Sequence, residues 1–168
     1  MIGRVALVAL LILLGVALEV SLLARLPLPG ATPDLVTVLV VAIALAFGST
    51  TGAISGVAAG LALSVAPPAT GPIGISALVL GVVGYLVGLA SDPEERGALP
   101  SIGLAAAACA GALAATSLLM GLVGSPGVQW SDLGLMVLTT AAYGAILGAF
   151  VIPLTIRAAK LVLPRVRA

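Results

Sequence analysis

Histidine is absent from this 168-residue chain, cysteine occurs once, aromatic residues make up 3% and charged residues only 8%. Without histidine, and with the single Cys109, the chain offers neither an ordinary zinc site nor an internal disulfide. Soft-metal and redox chemistry are therefore not expected, and no cofactor is. The net charge of +1 leaves no electrostatic footprint for nucleic acid. The inventory also contains no nucleophile with a base, no catalytic carboxylate pair and no Gly-rich loop ending in Gly-Lys-Ser/Thr, which argues against an enzyme.

What is present in excess is apolar: 61% hydrophobic residues and a mean hydropathy of +1.33, beyond the range of soluble domains. A hydrocarbon core about 30 Å thick needs about 20 apolar residues per helix, so this length allows about six spans and no soluble domain. The expected fold is all-α, a single integral membrane domain over residues 1–168. Helices are predicted at 5–24, 34–47, 53–66, 73–90, 101–123 and 133–156, the last with Pro153 near its end. They are separated by a proline-rich loop at 25–33, a Gly-Ser-Thr-Thr-Gly break at 48–52, a second proline-rich turn before residue 73, a charged loop at 91–100 and a Ser-Pro-Gly turn before residue 133.

Charge orients such a bundle, because basic residues accumulate on the cytoplasmic side. Six spans place Arg4, Arg96, Arg157, Lys160, Arg165 and Arg167 on one side and only Arg25 on the other. Both termini are thus expected in the cytoplasm. The basic tail carrying Arg157, Lys160, Arg165 and Arg167 has apolar residues interleaved, which suits an anionic lipid leaflet.

Glycine is the second excess. Small residues recur four apart: Gly52, Gly56 and Gly60; Ala77 and Gly81, then Gly84 and Gly88; Gly103, Ala107, Gly111 and Ala115; and Thr140, Gly144 and Gly148. In a soluble helix each glycine would cost about 1 kcal/mol relative to alanine. In a bilayer, where lipid tails are as apolar as leucine, such stripes let helix backbones approach closely. They either seal the protein's own bundle or, where one faces outward, receive a partner's helix. Two carboxylates lie near helix ends. Glu19 either snorkels to the interface or anchors the bundle or a partner, and Asp34 has the position of an N-terminal cap. Tyr85, Trp130 and Tyr143 read as interfacial or packing aromatics, and Cys109, among alanines, as a small core residue.

The segment PDLVTVLVVAIALAFGSTTGAISGVAAGLALSVAPP, followed by GPIGISALVLGVVGYLVG, resembles the rod shape-determining protein MreD family. The likeness rests on Pro33-Asp34, the Gly52, Gly56, Gly60 run, the proline-rich turn, Pro72 and Gly74, and Gly84-Tyr85-Leu86. It implies a scaffold of the elongation machinery in a bacterial inner membrane, beside an MreC-like single-span partner, an MreB-like filament and peptidoglycan synthases. It also implies a fold similar to the S components of energy-coupling-factor transporters, which makes a vitamin-binding S component the alternative. The scarcity of aromatic and buried polar residues weighs against such a pocket. Where the family often has an acidic residue late in its third helix, this chain has Ser64. The resemblance points to Gly52, Gly56, Gly60, Gly81, Gly84 and Gly88 as the first candidates for a helix or partner interface.

Overall fold

The computed structural model describes residues 2–21, 32–66, 74–90, 97–124 and 131–162. Among these the fold is all-α: α1 (Ile2–Ser21), α2 (Leu35–Phe47), α3 (Ser49–Val65), α4 (Ile75–Ala90), α5 (Ala98–Leu122) and α6 (Leu133–Val162). Helices α1, α5 and α6 are long and apolar enough to cross a membrane; α2, α3 and α4 are also apolar but shorter. The chain is a multi-pass membrane bundle.

Its organising element is α2. This run of valine, leucine, isoleucine and alanine has no polar face, and an evenly apolar helix is stable when surrounded on all sides. All its residues from Leu35 to Leu45 are buried, and it touches each of the other five helices. On one flank Val41, Ala42, Ala44 and Leu45 pack with Val87 of α4, Ala105 and Ala108 of α5 and Ile152 of α6. On the other, Val36, Val40 and Ile43 pack with Ile12 of α1, Ala59 of α3 and Leu80 of α4.

Several boundaries differ from those expected. The break placed over 48–52 is one residue: Gly48, at φ +87°, turns the chain alone, and α3 begins at Ser49. A left-handed φ suits glycine, so no longer loop is required. Helix α5 begins at Ala98 rather than 101, because Pro100 falls in the first turn, where a missing N–H costs nothing. Helix α6 continues past 156 to Val162 with Pro153 inside it, so Arg157 and Lys160 belong to its last turns instead of a separate tail. Both are exposed. Arg165 and Arg167, the charged residues 92–96, Arg25 and Trp130 lie outside the described residues.

Adjacent helices run in opposite directions. The start of α1 reaches the α2–α3 turn through Arg4. Leu45 near the end of α2, Ala98 and Ser101 at the start of α5, and Ile152 and Ile156 of α6 line one cleft of about 210 Å³. One end of the bundle therefore gathers Arg4, Arg157 and Lys160.

Candidate functional site

The glycines of α3 and α4 face each other. A methyl group at Gly56 would overlap the carbonyl of Leu80, one at Gly60 the backbone of Ala77, and one at Gly88 the backbone of Ser49. Gly52 and Gly84 each abut the other's carbonyl, and Gly81 lies against the Val57 side chain. The contact is backbone on backbone along the pair, with Ser55 buried beside it and its hydroxyl donating to the Gly52 carbonyl at 3.0 Å. These six glycines form an internal seam with no surface left for a second helix.

Helix α6 also turns its stripe inward. Gly144 lies against the Cys109 side chain and the Ala105 carbonyl, and Gly148 against the methyl group of Ala105. Helix α5 supplies the other half of that contact with Ala105, Ala108, Cys109 and Ala112, all buried and spaced as one helical face. Its second small-residue stripe points the other way. Gly103, Ala107 and Gly111 are exposed, and a methyl group at Gly103 or Gly111 would meet nothing within 4 Å among the described residues. Ala115 is half-buried at the end of the same row. Because α5 is small-sided all round, no period in its sequence distinguishes the packed row from the open one.

The charged residues do different work. Helix α2 has free N–H groups at its start, as every helix does. Asp34 caps it locally: its carboxylate accepts from the Thr37 N–H at 2.8 Å and from the Thr37 hydroxyl. Glu19 caps it from a neighbouring helix, its Oε2 accepting from the Val36 N–H at 2.7 Å. Glu19 thus turns into the bundle instead of snorkelling to the interface. At the other end of α2, the Arg4 guanidinium donates through Nη2 to the Phe47 carbonyl at 3.1 Å and to the Thr51 hydroxyl. It also stands 5.0 Å from the centre of the Phe47 ring. Carboxyl oxygens thus meet the N-terminal N–H groups of α2, and a cation meets the negative end of its dipole. Arg4 and Glu19 are separated on α1 by about 22 Å, and α2 is about 20 Å long, so one helix spans and caps both ends of the other. Gly15 lets α1 lie close, since any side chain there would strike Leu39.

Composition and charge order give Arg4 a part in orientation alone and are silent on this cross-bracing. The signal that does carry it is the matched spacing of Arg4 and Glu19 against the length of α2. Among the described residues no group of three or more His, Cys, Asp or Glu side chains is placed to hold a metal ion. Comparison of the chain with known protein families, with curated proteins and with solved structures finds no match.

Proposed function

We propose that this protein is a scaffold of the bacterial inner membrane that docks the transmembrane helix of an MreC-like single-span partner on the open face of α5. The observation that carries this reading is the exposed row Gly103, Ala107, Gly111. A bilayer gives large apolar side chains no reason to associate, so the faces suited to helix capture are those where backbones can come close. The α3, α4 and α6 stripes are already filled, which leaves α5. Through such a partner the protein would take part in cell elongation beside an MreB-like filament and peptidoglycan synthases, as its resemblance to MreD implies.

The test is Gly111→Leu, with Gly103→Leu as a second site. Each variant should give normal yields of monodisperse protein, because the added side chain enters open space, yet lose co-purification with the partner. Normal folding with undiminished partner binding in both variants would rule out α5 as the docking face.

In this reading both termini are cytoplasmic. The gathering of Arg4, Arg157 and Lys160 at one end of the bundle supports that orientation. In a Cys109→Ala background, a cysteine at Thr50 should be protected from an impermeant thiol reagent added to intact cells, and one at Ser131 should react. The opposite pattern would invert the topology.

A further inference from the structure

Between α1 and α3 an open groove of about 390 Å³ runs from Arg4 and Thr51 at one end toward Ile12 and Ala58 at the other. Its walls, including Val8 and Ile54, are apolar, and the one polar group deep within it, the Ser55 hydroxyl, is already satisfied by the Gly52 carbonyl. The groove extends about 12 Å along α1. Its short, apolar course between two helices suits a single hydrocarbon chain.

The charge is confined to the mouth. Among the described residues lining the groove, Arg4 is the only ionisable one. Its Nη2 is held by Phe47 and Thr51, which fixes the plane of the guanidinium and leaves the Nε and Nη1 donors without a partner among the described residues. A fork of donors on a fixed cation matches a phosphate group. We infer that the groove is a binding site for one anionic phospholipid, with an acyl chain between α1 and α3 and the headgroup phosphate on Arg4. A basic pocket between helices, opening at the end of the bundle that carries the positive charge, is the arrangement by which such headgroups are recognised. This site is separate from the α5 face and from the basic last turns of α6.

Native mass spectrometry of detergent-released protein, offered phosphatidylglycerol or phosphatidylcholine with identical chains, reads the site directly. Wild type should retain phosphatidylglycerol in preference by roughly fivefold, equivalent to about 1 kcal/mol for one basic residue. Arg4→Gln should remove the preference, and Arg157→Gln with Lys160→Gln should leave it in place. Ala58→Leu, which fills the groove from the wall opposite Arg4, should lower occupancy by both lipids, and it decides the matter if Arg4→Gln does not fold. Inorganic phosphate should not stabilise the protein against heat as phosphatidylglycerol does. Equal retention of the two lipids by wild type, a preference that survives Arg4→Gln, unchanged occupancy in Ala58→Leu, or equal stabilisation by inorganic phosphate would each overturn the assignment.

Discussion

Gly56→Leu is expected to yield no folded, monodisperse protein. At this position even a Cβ would overlap the Leu80 carbonyl carbon and oxygen on the facing helix. Those are backbone atoms, so no rotamer change can relieve the clash and α3 must move away from α4. Separation would also undo the contacts of Gly52, Gly60, Gly84 and Gly88 along the same seam. Ordinary overpacking of a core costs about 1–3 kcal/mol; spreading a whole helix pair should exceed the upper figure. Size-exclusion profiles and thermal melting of Gly56→Leu beside Gly111→Leu make the comparison, since the same substitution enters a closed seam in one and open space in the other. Wild-type stability for Gly56→Leu would mean that α3 and α4 are not packed as described.

The second large effect is expected at Glu19. In Glu19→Ala the buried Val36 N–H loses its acceptor. A buried donor left without a partner costs about 1–3 kcal/mol. The melting transition should fall accordingly. Glu19→Gln keeps an acceptor oxygen and should recover most of the loss, which separates the hydrogen bond from the volume of the side chain. If Glu19→Ala melts as wild type does, the carboxylate is not capping α2.

Six helices and their order are local properties of this chain, set by apolar runs and by the prolines and glycines between them, and local properties are legible in a sequence. The differences arise where one residue does the work of several. Gly48 alone makes a turn for which the sequence offers five candidate positions, and α6, with Pro153 inside it as expected, runs on to Val162. The seam is legible only by halves. A stripe such as Gly52, Gly56, Gly60 announces that something approaches closely, but the identity of that something depends on register with α4 across a proline-rich turn. The resemblance marks these glycines as a helix or partner interface and leaves the two open; they are spent inside the bundle, and the open row lies on α5. Glu19 is legible as costly to bury and silent about its partner, because the Val36 N–H belongs to another helix.

The bundle is not equally tall on all sides. On one flank α3 and α4, with 17 and 16 residues, present Ile54, Leu61, Leu78 and Leu86 to the outside over about 24–26 Å. On the other, α5 and α6 have 25 and 30 residues, or about 38–45 Å. A bilayer about 30 Å thick would be expected to thin beside the first flank, and at the second to thicken or to be met by tilted helices. Each ångström of mismatch costs a fraction of a kcal/mol. The expected consequence is an asymmetric deformation of the surrounding membrane, through which two copies would attract where their thin flanks share it. Lateral clustering would then need no direct contact between copies, only the elasticity of the lipid between them.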